Sequence, residues 1–300
     1  MSFTKQRTTK KPHILERAIR LYKNEGLASL IRNIVLRVIC KYIDFLNSKS
    51  IRTTERYVVR EINGSQMYLD MTDIGLSCDL MIDGLREAYI LETIKKELSE
   101  GDFVIDIGAN IGYYALLEAK IVGARGRVYA IEPVPESADL LRKNIELNGY
   151  SNIEVYQIAI GDKKESAPIH IARQRNISSM RQISSHAESG ILSQDVNVDV
   201  LTLDDFLKDR PHPQMIRMDV EGYECRIING MEKTLGENTP LTLFIELHFN
   251  ILEPEETITL LKILRDADFE IADVTSETMI RGSTRHRFLW KIASYIERML

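Results

Sequence analysis

The chain has 300 residues, 44% of them hydrophobic and 28% charged, with a formal net charge of -5. That composition excludes disorder, a collagen-like fibre and a disulfide scaffold, and the length suffices for one large domain or two small ones. Charge is spread unevenly: residues 1–60 carry 14 Lys and Arg against 4 Asp and Glu, residues 281–300 carry 5 against 1, and the span between them carries 20 against 39. Basic ends on an acidic body direct the ends, not the centre, toward an anionic surface. Cys40, Cys78 and Cys225 include no C-x-x-C pair, so they read as reduced thiols of a cytoplasmic protein.

The first apolar stretch is interrupted by Arg and Lys, so no signal peptide is expected. Apolar residues recur at helical spacing from Ile14 to Ile39, with Gly26 dividing two helices. The charge-free runs fall far short of the roughly 20 residues that a membrane span needs. Residues 1–50 are therefore expected to form a basic amphipathic helical arm. Its stretch 13–46 suits an anionic membrane surface, a partner subunit or the body of the chain.

Residues 51–100 hold a β-hairpin and a helix. The hairpin runs from Tyr57 to Asp70 around Asn63-Gly64, a strong two-residue turn signal. The helix spans about 86–98. From residue 101 short apolar strands alternate with helices: strands at 103–107, 127–131, 153–158, 214–220, 241–249 and 269–274, helices at 112–122, 133–147 and 255–266. Such alternation predicts an α/β fold, a mostly parallel sheet with helices on both faces. Its ligands bind outside the carboxyl ends of the strands. The polar stretch 172–195 interrupts the pattern and reads as a long loop or lid. Residues 281–300 form a basic C-terminal segment.

The sharpest motif is Asp106-Ile107-Gly108-Ala109-Asn110-Ile111-Gly112, set where a strand meets a helix. Glycine there permits a tight turn and a close ligand. Glu132 ends the next strand, where an acidic group can bind a ribose diol. A dinucleotide fingerprint would need Gly at 110 and 113, where Asn110 and Tyr113 stand. Nicotinamide binding is thereby disfavoured, and an acidic residue before the turn suits a positively charged ligand.

With Glu132-Pro133, Ala159-Ile160-Gly161-Asp162 and Asp219-Val220-Glu221-Gly222-Tyr223-Glu224, this motif resembles the FkbM-type S-adenosylmethionine-dependent methyltransferases. Leu69–Glu87 and Arg175–Met180 are similar to that family as well, and the resemblance covers about 57–275. It implies a Rossmann-like methyltransferase fold with a seven-stranded sheet and a methyltransferase domain over 101–280. It implies S-adenosylmethionine as cofactor. Asp106, Gly108, Ala109, Asn110, Gly112 and Tyr113 would surround its methionine half, Glu132 would take the ribose hydroxyls, and Asp162 would lie beside the adenine. Asp219 would face the methionine end and the acceptor. Arg217 stands where the family leads one to expect Lys.

A hydroxyl acceptor needs its proton removed, which a group with a pKa near neutrality does best. In the strand at 241–249, alternation sets Leu243, Ile245 and Leu247 on one face and Phe244, Glu246 and His248 on the other. His248 is the candidate base, with Glu246 beside it; a carboxylate acceptor would make it a binding residue instead. The structural alternative has His248 capping the strand and Glu246 paired with an arginine. Glu221 and Glu224 could bind a metal with Asp219. Histidines without metal-like spacing and the family's usual metal independence argue against it, so no metal is expected and both glutamates are read as opening a helix.

The function expected is O-methylation of a sugar, a glycan (lipid-linked in the membrane-apposed reading) or a similar small molecule. The alternatives are a nicotinamide-dependent oxidoreductase and a non-catalytic nucleoside-binding module. Nucleic acid is not expected as partner because the body is acidic. Oligomeric state stays open.

Overall fold

A computed structural model describes residues 56–73, 75–172, 178–181, 192–237, 240–248, 251–275 and 286–292. The chain divides into two units, Met1–Arg56 and Tyr57–Leu300. The expected arm over 1–50 lies outside the described residues. No helix among the described residues is long and apolar enough to cross a membrane.

The second unit opens with antiparallel strands β1 (Tyr57–Ile62) and β2 (Ser65–Asp70). Asn63 and Gly64 join them, both at positive φ, as a two-residue turn matched to strand twist requires. Two helices follow, α1 (Leu76–Asp83) and α2 (Ala88–Glu97). Then come β3 (Phe103–Ile107), α3 (Ala115–Val122), β4 (Arg127–Ile131), α4 (Pro135–Asn148) and β5 (Ile153–Tyr156). Proline at the start of α4 and Gly149 in the left-handed conformation after it set that helix's limits.

After β6 (Ala159–Gly161), β7 (Glu165–Ala172), β8 (Leu192–Thr202) and α5 (Leu203–Leu207), the chain returns to the sheet through β9 (Met215–Met218). The remaining elements are α6 (Glu224–Asn229), α7 (Glu232–Gly236), β10 (Thr242–Leu247), α8 (Pro254–Asp266), β11 (Phe269–Thr275) and β12 (His286–Ile292). At the sheet's centre β10-β9-β3-β4-β5 run parallel, and β12 then β11 continue it beyond β10. The segment set apart by charge at 281–300 thus contributes a strand.

Strand alternation divides the apolar side chains between two layers. Val104, Val128, Ala130, Met215 and Phe244 pack with α2, α3 and the hairpin; Ile105, Ile107, Ile131, Ile216, Met218, Leu243, Ile245 and Leu247 pack with α5 to α8. Each such fully buried side chain contributes about 1.5–3 kcal/mol. The faces expected for the strand at 241–249 are those observed.

The chain proceeds outward from β3 to β4 and β5, then crosses back to β9 and β10 on β3's other side. A crevice therefore opens at the carboxyl ends of β3 and β9, where strand order reverses. A three-stranded sheet, ordered β6-β8-β7, packs its own small core of Val134, Ile169, Ile171, Val198 and Val200. The polar stretch read as a loop over 172–195 ends earlier, because β8 begins at Leu192. Cys78 is disulfide-bonded, against the expectation of a reduced thiol, and Cys225 is free.

Candidate active site

The turn after β3 leaves the sheet through Gly108 at φ +82° and Asn110 at φ +51°. Main-chain N–H groups of Gly108 and Ala109 donate to the Ile131 carbonyl at 2.9 and 3.1 Å, tying the turn to the end of β4. The Asn110 N–H donates to Glu132 Oε2 at 2.8 Å, and the Val134 N–H donates to Oε1 at 2.8 Å. Glu132 is thus fixed by main chain from two sides and 5% exposed. Burial pushes its carboxyl up to about 7, against the downward pull of the Val134 and Asn110 hydrogen bonds.

A proton held more tightly in the folded state links stability to pH. Stability conferred by the neutral carboxyl is complete below the unfolded value of 4.5 and is lost as pH rises toward about 7. Over that window the cofactor-free protein should lose about 3 kcal/mol from this group. Thermal melts at about pH 5 and about pH 8 should show Glu132→Gln with a smaller pH-dependent drop than wild type; equal drops would refute this assignment.

A cavity opens beside the turn. Gly108, Ala109, Asn110, Tyr113, Glu132, Asp219 and Glu246 all line it, as the sequence reading requires. Four expected residues, Asp106, Gly112, Asp162 and His248, are absent from its lining. Gly112 has φ +96° and its missing Cβ makes room for Leu141 Cδ1 at 2.5 Å, so it serves helix packing. Asp162 is absent from the cavity wall, and its Oδ2 accepts from Arg226 Nη1 at 2.5 Å.

At the floor of the cavity lies an ionic cluster centred on Arg217, a residue the sequence left without a role. Arg217 and Asp106 are register neighbours on β9 and β3. Arg217 Nη1 meets Asp106 Oδ1 at 2.9 Å and Nη2 meets Asp219 Oδ2 at 3.2 Å, with only 3% of the arginine side chain exposed. Its guanidinium also lies over the Tyr114 ring, 3.8 Å from the centroid. Glu118, wholly buried on α3, finds no hydrogen-bond partner for either carboxyl oxygen. Burial, reinforced by Asp106, raises its pKa well above the usual value and keeps it neutral.

On the acceptor side, Arg86 and Glu87 from the start of α2 also line the cavity. Tyr114 donates its hydroxyl to Glu87 Oε2 at 2.5 Å. Ser178 and Met180, inside the segment singled out at 175–180, reach the same wall, while the Ser179 hydroxyl donates to the Glu221 carbonyl at 2.7 Å. The one sequence signal for Glu118 was a lone charge within the apolar run Ala115–Ala119.

His248 follows β10 and is surrounded by carboxylates. Its Nδ1 lies 2.6 Å from Glu224 Oε1, and its Nε2 lies 3.3 Å from Glu221 Oε2 and 3.7 Å from Asp219 Oδ1. Burial lowers its pKa, but the Glu221 and Glu224 contacts outweigh that and hold the ring up to about 12. Glu224 opens α6, as expected, but Glu221 sits in the preceding turn at φ +50°. Asp219, Glu221 and His248 each place one ligand atom within 4.8 Å of the other two.

S-adenosylmethionine fits this set. Glu132, a carboxylate anchored by main chain at the end of β4, suits the hydroxyls of a ribose, and Asp219 on the same cavity suits the positive charge of a sulfonium.

Among curated proteins, the chain is 38% identical to the protein-L-isoaspartate O-methyltransferase of Ignicoccus hospitalis over 81 residues, 27% of this chain and 36% of that one. It is 26% identical to Methyltransferase 1 of Beauveria bassiana over 149 residues, 44% of this chain and 59% of that one. It therefore spans well under two thirds of either relative. Among solved structures, Trm5b from Pyrococcus abyssi aligns over 72% of this chain and 47% of that one, at 15% identity and a TM-score of 0.37. A family model, the methyltransferase FkbM domain, matches residues 106–271. That span exceeds half of the chain, and the chain belongs to the FkbM methyltransferase family, whose methyl donor is S-adenosylmethionine.

Proposed function

We propose that this chain methylates a hydroxyl group of a sugar, a lipid-linked glycan or a comparable polyhydroxylated small molecule. The observation that carries this reading is the wall of the cavity, which Glu87, Asp219, Glu221 and Glu246 line, the first two and Glu246 close enough to Arg86 to raise its pKa. Carboxylates accept hydrogen bonds from hydroxyls and repel phosphates, so the wall suits a hydroxyl-rich acceptor over a nucleic acid.

Bound S-adenosylmethionine supplies a methyl carbon on a sulfonium, which departs as a neutral thioether. The chain's own task is to position, to exclude water and to move one proton. Glu132 and the 108–110 turn hold the nucleoside end. Asp219, steadied by Arg217 on Oδ2, keeps Oδ1 toward the reacting region. Glu246 lies on the sheet face that carries Phe244 and lines the cavity, and in this reading it takes the hydroxyl proton. His248 holds Asp219 and Glu221 in place. The basic stretch 13–46 brings the chain to an anionic membrane surface, where lipid-linked acceptors lie.

The test is transfer of labelled methyl into an extract of the source cells, with Asp219→Ala as control. Label is expected in the organic or aqueous saccharide fractions and absent with the variant. Label confined to protein or nucleic acid, or equal label with Asp219→Ala, would overturn the reading. Liposome sedimentation unchanged by deleting residues 1–50 would remove the membrane role.

A further inference from the structure

We propose that Asp219, Glu221 and His248 form a binding site for a divalent first-row transition metal at the edge of the cavity. The donor atoms come from two strand ends, the turn after β9 and the residue after β10. Asp219 Oδ1 and Glu221 Oε2 lie 3.7 and 3.3 Å from His248 Nε2, and all three atoms lie within 4.8 Å of one another. Ligands bonded at about 2.1 Å to one cation stand about 3.0–3.4 Å apart, a spacing that the two distances to His248 Nε2 already approach.

The second polar atom of two ligands is already engaged. Asp219 Oδ2 is held by Arg217, and His248 Nδ1 is held by Glu224. An imidazole whose far nitrogen donates to a carboxylate is the usual arrangement behind a metal, since it fixes both tautomer and ring orientation. Glu224 is fully buried; its Oε1 also accepts the Gly222 N–H at 3.1 Å, and its Oε2 finds no partner. A buried, half-satisfied carboxylate behind the ring is costly beside a single imidazolium and far less so beside a cation of higher charge. Glu221 is constrained too, with φ +50° and its carbonyl bonded to Ser179.

Two carboxylate oxygens and one imidazole nitrogen suit Mn²⁺, Fe²⁺ or Zn²⁺. Asp219 and Glu221 line the cavity, so remaining coordination positions face the acceptor. A metal there would hold the acceptor's hydroxyl oxygen and lower its pKa. That role rests on the methyl-transfer reading, whereas binding of the metal does not.

The test is titration of Mn²⁺ into the purified full chain, followed by electron paramagnetic resonance. One bound ion per chain is expected, with a Kd below about 100 μM. Glu221→Gln and His248→Gln should each weaken it at least tenfold, at the scale of lost metal contacts. Arg142→Gln, on an exposed ion pair of α4, should leave it unchanged. Absence of bound Mn²⁺ at about 1 mM, or equal affinity in a Glu221→Gln protein that melts as wild type does, would overturn the site. Parallel calorimetry with S-adenosylhomocysteine separates the readings: cofactor binding without Mn²⁺ binding overturns the metal site and spares methyl transfer.

Discussion

Arg217→Met is expected to lower folding stability by about 3–5 kcal/mol, the usual consequence of leaving a buried charge uncompensated. Asp106 is fully buried, and Arg217 is its cationic neighbour across the β3–β9 register. Met fills the volume and keeps the contact with Tyr114, so packing loss is small beside the electrostatic loss. Adding Asp106→Asn should return a large part of that stability, because the orphaned charge disappears. The coupling between the two sites should exceed about 1 kcal/mol in a double-mutant cycle. Arg217→Lys should recover only part, since one ammonium cannot bridge Asp106 and Asp219 as the guanidinium fork does. Urea unfolding of wild type, the two single variants of the cycle, their double variant and Arg217→Lys checks this, and a loss below about 1 kcal/mol for Arg217→Met would contradict it.

Gly108→Ala is the second change of large effect. Gly108 sits at φ +82°, and a Cβ there would lie 2.0 Å from the main-chain oxygen of Asp219. Neither atom can yield without moving the turn or the end of β9. Left-handed strain of about 1–2 kcal/mol adds to a clash of similar size. A total near 3 kcal/mol and a cofactor affinity at least a hundredfold weaker are expected, because the same movement displaces the Asn110–Glu132 hydrogen bond. Gly149→Ala is the control: its φ is +66°, yet nothing lies within 4 Å of the added carbon. It should show the strain alone, about 1 kcal/mol, with cofactor affinity intact.

The cofactor half of the site was legible because its chemistry is local. A β-branched strand, a glycine turn and an acidic residue at the next strand's end are close in sequence, and the Asn63-Gly64 turn announced its hairpin equally plainly. Layer alternation on β10 could be read because Leu243, Ile245 and Leu247 repeat with period two. The rest depends on pairings that sequence spacing does not encode. Arg217 meets Asp106 only when β9 inserts beside β3, 111 positions along the chain. The β6–β8 sheet stayed hidden because Asn197 and Asp199 alternate outward in β8, so its inward valines looked diluted by polar residues. Helices α5, α6 and α7 have six residues or fewer, too short for periodicity to show. The convergence on His248 arises from the positive-φ turn at Glu221-Gly222, which folds two carboxylates back onto the end of β10. Histidine spacing alone gave no sign of it.

S-adenosylmethionine is expected to bind in the cavity at the β3 turn through Glu132. Calorimetric titration of the purified chain with S-adenosylhomocysteine, and separately with oxidised nicotinamide dinucleotide, addresses it directly. Micromolar binding of the thioether, no heat from the dinucleotide, and at least tenfold weaker binding in Glu132→Ala are the results expected. Dinucleotide binding alone, or thioether binding indifferent to Glu132→Ala, would contradict it.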